Sequence, residues 1–191
     1  MEKNDILLVE LTGKTEDGKL IETTDKKTAE ENSLDVQQLI FKPRIIILGK
    51  DPLLQGIEKA LFEMNEGQAK ELEIFPENAF GERKSELIRI IPLKIFKENK
   101  MAPFPGMVLE ADGMHGKVQT VSGGRIRVDF NNELAGKKVF YKIKVIKKLS
   151  SDKEKALALS EKYFPIENIK AEFEKETLTV SLPKEMPKEM N

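Results

Sequence analysis

The sequence predicts an α+β fold, and three observations carry that prediction. Short apolar runs separated by Gly, Pro and Asp-Gly turns dominate the chain. Only two segments carry a helical spacing of apolar residues. From Leu87 onward the runs become shorter and more closely spaced, in the manner of a small antiparallel β module.

Ile6 to Lys14 reads as a strand because Ile6-Leu7-Leu8-Val9 is branched and Leu-rich. Thr15-Glu16-Asp17-Gly18 turns it, since Asp-Gly supplies the positive φ of a tight hairpin, and Leu20 to Thr23 returns as a short strand. Thr24 to Ser33 is polar and charged and is expected to be an exposed loop. Arg44 to Leu48 is a compact strand stopped by Gly49. The clearest helix follows: Asp51 is suited to cap it and Pro52 to its first position. Leu53, Leu54, Ile57, Ala60, Leu61 and Met64 form one apolar face before Asn65 and Gly67 end the helix. Leu72 to Phe75 resumes strand alternation, and Pro76 ends it.

Leu87 to Pro92, Met107 to Ala111, Lys117 to Ser122 and Arg125 to Phe130 are four short strands. Pro103, Pro105 and Gly106 break the chain among them, and Gly113 to Gly116 and Ser122-Gly123-Gly124 mark tight turns. Lys137 to Ile146 is a long strand with Val139, Tyr141, Ile143 and Val145 on one face and Lys142 and Lys144 on the other. Ser150 or Asp152 can cap a helix that runs to about Phe164, where Pro165 stops it. Lys170 to Phe173 and Thr177 to Leu182 read as a hairpin. This last region has too few apolar residues for its own core, so it should dock on something or pair with a second copy. The tail from Pro183 is expected to fray.

Composition narrows the chemistry. At roughly 150 residues per domain, 191 residues lie between one domain and two. Lys+Arg 32 against Asp+Glu 33 lacks the basic excess that neutralising phosphates needs. Lys137, Lys138, Lys142, Lys144, Lys147 and Lys148 are better read as a solvated strand face that discourages edge pairing. With Cys absent and His115 the single histidine, disulfides, thiol nucleophiles and Cys- or His-rich metal sites are excluded. No apolar run approaches about 18 residues and the first residues are polar, so a cytoplasmic protein with no membrane span is expected. No phosphate loop, dinucleotide fingerprint or nucleophile elbow appears. Glu71 and Glu73 lie two apart on one strand and read as a solvated face rather than an acid-base pair, and His115 as an exposed turn residue.

What remains is an ordered set of short segments: Thr15-Glu16-Asp17-Gly18-Lys19-Leu20-Ile21-Glu22, Leu48-Gly49-Lys50, Leu53-Leu54-Gln55-Gly56-Ile57-Glu58-Lys59-Ala60-Leu61, Met64-Asn65-Glu66-Gly67 and Pro76-Glu77-Asn78-Ala79-Phe80-Gly81. In this order and spacing they resemble the FKBP family of peptidyl-prolyl isomerases over residues 5–86, resuming at about 133–149. The resemblance implies an antiparallel sheet wrapped on a short helix. Gly116-Lys117-Val118 through Val128-Asp129-Phe130 resemble the chaperone module inserted in the flap of SlyD-like and long archaeal members, and Leu134-Ala135-Gly136 resembles the re-entry from that module. The implied organisation is an isomerase domain of 1–86 and 133–149, an inserted β-rich flap domain of 87–132, and a C-terminal helix-plus-hairpin extension of 150–191.

The implied activity is cis-trans isomerisation of X-Pro bonds in unfolded or partly folded chains. Rotation must overcome an amide barrier of about 18–20 kcal/mol, and no bond breaks, so neither a metal nor another cofactor is required. Carried over by position, the pocket comprises Ile21 as a wall, Glu22 where the family has Asp, Ile46 as a side wall, and Leu53 and Leu54 at the helix start. Ile57 stands at the floor where many members have Trp, Phe80 where many have Tyr, and Tyr141 in place of a pocket Phe. Glu22, Phe80 and Arg44, the last at a position often aromatic, depart from the pattern and keep open the alternative of a catalytically weak FKBP-fold binding or assembly module. In the insert, Phe96, Met101, Phe104, Met107, Val108 and Met114 are candidates for capturing unfolded clients, because large flexible apolar side chains adapt to varied partners. The expected partners are proline-containing polypeptides and, through 150–191, a second copy in a homodimer, with no nucleic acid and no membrane.

Overall fold

The computed structural model describes residues 1–32, 41–164, 170–175 and 177–181. Ser33, Pro165, Leu182 and the tail from Pro183 lie outside the described residues. In chain order the elements are β1 (Ile6–Thr15), β2 (Leu20–Thr23), α1 (Lys26–Glu31), β3 (Arg44–Ile47), α2 (Gln55–Glu63), β4 (Ala69–Ile74), β5 (Ile88–Pro92), α3 (Leu93–Glu98), β6 (Val108–Ala111), β7 (Met114–Ser122), β8 (Arg125–Asp129), β9 (Val139–Lys148), α4 (Asp152–Tyr163), β10 (Lys170–Glu174) and β11 (Thr177–Ser181). The chain divides into two units, one of Met1–Ile74 with Val139–Asn191 and one of Phe75–Lys138. No helix among the described residues is long and apolar enough to cross a membrane.

The first unit is built on an antiparallel sheet in the order β2-β1-β9-β4, with β3 also pairing with β1. Alternation in β9 buries Val139, Tyr141, Ile143 and Val145, while Lys142 and Lys144 stay exposed. Leu7, Val9 and Leu11 of β1 are buried with them, as are Ile57, Ala60 and Leu61 of α2 and the following Met64. Each fully buried Leu or Ile in this set contributes about 1.5–3 kcal/mol of transfer free energy.

Two local expectations are corrected in the part of this unit before β4. The stretch from Thr24 is not all loop: Asp25 Oδ2 accepts from the Thr28 N–H at 2.8 Å and caps α1, whose Ala29 is fully buried. The helix α2 starts at Gln55 rather than beside Asp51, because the Asp51 carboxylate accepts instead from the Ile47 N–H at 2.8 Å and closes the preceding turn. Leu53 and Leu54 therefore stand on the approach to the helix, not on its face.

β3 is buried on both sides. Ile46 is fully buried, and Ile45 packs with Ile6, Leu149 and Ala158, flanked by Leu8, Ile47 and Leu159. This explains an apolar run in place of alternation. The second layer is α4, so the helix of the C-terminal region docks on its own chain. Its cap is Ser151, not Ser150 or Asp152: Ser151 Oγ accepts from the Glu154 N–H at 3.2 Å and Glu154 reaches back to the Ser151 N–H at 3.4 Å, a capping box. β10 and β11 form an antiparallel hairpin in contact with α4.

The second unit carries an antiparallel sheet in the order β5-β8-β7-β6. Phe96, Val118, Ile126, Val128 and Phe130 are its core, packed against by Leu87, Ile91, Leu93, Met107, Leu109, Ala111 and Met114. The helix α3 was not expected from the sequence. It presents Phe96 inward, so this side chain is a core residue at 2% exposure and offers nothing to a client. The turn before β7 is Asp112–Gly113, both left-handed at φ 53 and 71, which places His115 exposed within the strand opposite Glu110 rather than in the turn.

Candidate functional site

The site begins with one rung of the sheet. Gly13 of β1 lies opposite Glu22 of β2 on one side and Tyr141 of β9 on the other. A Cβ on Gly13 would lie 2.4 Å from Tyr141 Cζ and 2.8 Å from its hydroxyl oxygen. The tyrosine ring thus crosses the space that the missing side chain leaves. Its hydroxyl donates to Glu22 Oε1 at 2.9 Å, bridging two strands that do not pair with each other.

The other carboxylate oxygen is held as well. Arg44 Nη1, from the start of β3, donates to Glu22 Oε2 at 3.2 Å. Glu22 and Arg44 are about two-fifths exposed, whereas Tyr141 is 2% exposed. Burial, followed by the Glu22 charge and the hydrogen bond to it, pushes the Tyr141 phenol above its ordinary range. The hydroxyl therefore stays protonated and donating well past neutral pH. Arg44, which stands where the family pattern often has an aromatic, acts as the second clamp on this carboxylate.

The remaining residues divide by burial. Ile46 and Ile57 are buried at 0% and 2% exposure and belong to the core. Ile21, Leu53 and Leu54 are half-buried, so they retain apolar surface open to a ligand. Phe80 belongs to the second unit, where it follows a short turn in which the Gly81 N–H donates to the Pro76 carbonyl at 2.8 Å. In that unit Met107 and Met114 pack against the core, whereas Phe104 and Val108 are 60% and 65% exposed, with Met101 and the strand residue Ile90 also open.

Other groups singled out in the sequence lie on β4 and β9. Glu71 and Glu73 project from β4, and Glu71 pairs with Lys142 of β9 at 3.6 Å. They line, with Thr12, Lys14, Thr28, Leu72, Phe140, Tyr141 and Lys142, a cleft of about 490 Å³. The lysines of β9 are largely engaged: Lys142 pairs with Glu71, Lys147 with Glu154 and Lys148 with Asp5 at 2.8 Å, while Lys138, in the second unit, stands over the Phe75 ring at 5.2 Å.

Sequence reasoning missed Gly13. The available signal was a lone glycine inside a strand, which marks a bulge or a close approach. The pairing of β1 with β2 does shift register between Gly13 and Lys14.

Two family models match the chain. The model of the FKBP-type peptidyl-prolyl cis-trans isomerase family matches residues 1–95, and that described as FKBP26, IF domain, matches residues 89–134. The short-type peptidyl-prolyl cis-trans isomerase of Methanocaldococcus jannaschii is 36% identical over 129 residues, covering 68% of this chain and 82% of the relative. A probable FKBP-type 16 kDa peptidyl-prolyl cis-trans isomerase of Pseudomonas fluorescens is 32% identical over 108 residues, covering 54% and 71%. The FKBP-type isomerase SlyD of Helicobacter pylori is 28% identical over 135 residues, covering 68% and 72%.

Proposed function

The chain belongs to the FKBP-type peptidyl-prolyl cis-trans isomerase family, and from that premise we propose how its residues turn an X-Pro bond. The protein is a peptidyl-prolyl cis-trans isomerase. Its substrates are proline-containing polypeptides.

The proline ring rests on Ile21, Leu53 and Leu54, above the buried Ile46 and Ile57. Apolar walls remove water from the prolyl carbonyl. Water favours the planar, charge-separated form of the amide, so dryness lowers the cost of twisting it. As the amide twists, resonance is lost and its carbonyl carbon becomes more electron-poor. Glu22 sets a fixed negative charge beside that carbon, oriented in advance by Tyr141 and Arg44. Preorganised charge of this type favours the transition state over the planar ground state. No covalent step is involved, and no proton moves.

The observation that carries this mechanism is the double clamp on Glu22, with Tyr141 on one oxygen at 2.9 Å and Arg44 on the other at 3.2 Å. An isolated carboxylate on a longer arm than Asp would be mobile, and a clamped one is a defined electrostatic element.

The segment 87–132 acts as a flap-inserted chaperone module in this proposal. Exposed apolar side chains, Phe104 and Val108 foremost, support a role in holding unfolded clients. Large apolar side chains left this exposed would otherwise be a liability in a chain so rich in charge.

A protease-free assay of a short proline peptide tests the enzymatic mechanism. Leu54→Lys, which puts a charge on a half-buried wall, should lower kcat/KM by about 10-fold or more while leaving the melting temperature within a few degrees. Equal rates for both proteins would favour the alternative, an FKBP-fold binding module whose pocket does not catalyse.

A further inference from the structure

We propose that Lys162 of α4 is a positioning residue for the isomerase pocket, holding the loop that leads into Leu53 and Leu54. The proposal rests on the pocket assignment above. It makes the C-terminal helix a working part of the isomerase unit.

Residues 48–54 run between β3 and α2. Asp51 is the centre of this loop. Its Oδ2 accepts from the Ile47 N–H at 2.8 Å, and its own N–H donates to the Ile47 carbonyl at 3.0 Å. Lys162 Nζ donates to the same Asp51 Oδ2 at 2.8 Å and to the Ile45 carbonyl at 2.9 Å. One ammonium thus ties the strand before the turn to the carboxylate that closes it. The two side chains are 22% and 13% exposed, so this pair is shielded from solvent far more than an ordinary surface ion pair.

The helix that carries Lys162 is itself anchored. Ala158 and Leu159 lie in the apolar cluster with Ile6 and Ile45, and Glu161 pairs with Lys42 just upstream of β3. The Leu54 carbonyl accepts from the Glu58 N–H at 3.0 Å and opens α2, so loop movement is passed directly to the helix start. Removing the Lys162 charge would leave a largely buried carboxylate with one backbone donor, and the loop would loosen three residues before Leu54.

The test uses the full chain with Lys162→Met, Lys162→Arg, Asp51→Asn and the double Lys162→Met/Asp51→Asn, with exposed Lys153→Met as control. Steady-state kinetics on a proline tetrapeptide are read well below the melting temperature, beside amide hydrogen exchange across residues 48–54. Lys162→Met should raise KM by about 5-fold with kcat within about 2-fold, and speed exchange in the loop by about 10-fold. Lys162→Arg should restore most of both effects, Lys153→Met should change neither, and Lys162→Met should add little in the Asp51→Asn background. A Lys162→Met protein that melts earlier but keeps wild-type KM and loop exchange would overturn the proposal. If the wild-type chain failed to catalyse at all, the pocket assignment would fall, and loop exchange alone would then decide whether Lys162 holds the loop.

Discussion

The Tyr141 hydroxyl donates to Glu22 at 2.9 Å across the bare backbone of Gly13. Three strands thereby meet at one polar contact. The relationship also accounts for two departures from the family pattern together. The longer reach of Glu22 is met by a hydroxyl that Phe at position 141 would lack, and the ring has room because position 13 carries no side chain.

Gly13→Ala should therefore be more disruptive than its size implies. The new methyl would fall 2.4 Å from Tyr141 Cζ, forcing the ring or the strand to move. A loss of about 1–3 kcal/mol in chemical denaturation is expected, with a fall in isomerase activity. Tyr141→Phe should keep the packing, cost about 1 kcal/mol, and lower kcat/KM by about 5-fold by freeing one oxygen of Glu22. Unchanged kcat/KM in Tyr141→Phe would show that the clamp on Glu22 has no catalytic part.

The second unit should be acid-labile through Asp129. This carboxylate is 8% exposed and accepts from Arg83, from Gln119 Nε2 at 2.9 Å, and from the Asn131 N–H and Nδ2 at 3.0 and 2.8 Å. Burial opposes its ionisation, but the Asn131 and Arg83 donors outweigh that and hold its pKa below the ordinary value. A depressed carboxyl contributes stability that is complete above its unfolded pKa of about 3.9 and is lost as pH falls through the lower folded value. Amide protection factors in β7 and β8 should fall below about pH 4, and Asp129→Asn should flatten that dependence while costing about 2 kcal/mol at neutral pH. A wild-type profile as flat as that of Asp129→Asn would contradict this assignment.

Client capture and isomerisation should separate by mutation. Phe104→Ser and Val108→Ser change side chains that are 60% and 65% exposed, so stability should shift by no more than about 0.5 kcal/mol each. Turnover of a tetrapeptide should stay at the wild-type level, while catalysed refolding of a proline-limited protein should slow by about 3-fold or more. Equal refolding rates would remove these two residues from any capture surface.

The α+β architecture was legible in the sequence because β9 alternates cleanly through Val139, Tyr141, Ile143 and Val145 and α2 repeats Ile57, Ala60, Leu61 and Met64. Local signals misled where a side chain served a distant partner. Asp51 looks like a helix cap, yet its carboxylate closes a turn and meets Lys162, 111 residues away. α1 buries only Ala29, so it leaves no apolar period to detect. Leu93 and Phe96 of α3 sit three apart between prolines, too brief a pattern to outweigh the breakers. For the site, Glu22 and Tyr141 were each found by position, but their contact spans 119 residues and depends on an absent side chain at Gly13. Spacing along the chain carries no record of such a contact.

Exchange spectroscopy of a proline tetrapeptide with the full chain tests the central claim most directly, since one experiment reads both the rate of cis-trans exchange and the residues that respond. Substoichiometric protein should bring exchange from its uncatalysed pace of tens to hundreds of seconds to below about one second. The peptide should at the same time perturb Ile21, Leu53, Leu54 and Tyr141. Exchange that stays at the uncatalysed pace, or perturbations confined to the cleft around Thr12, Phe140 and Lys142, would contradict the account.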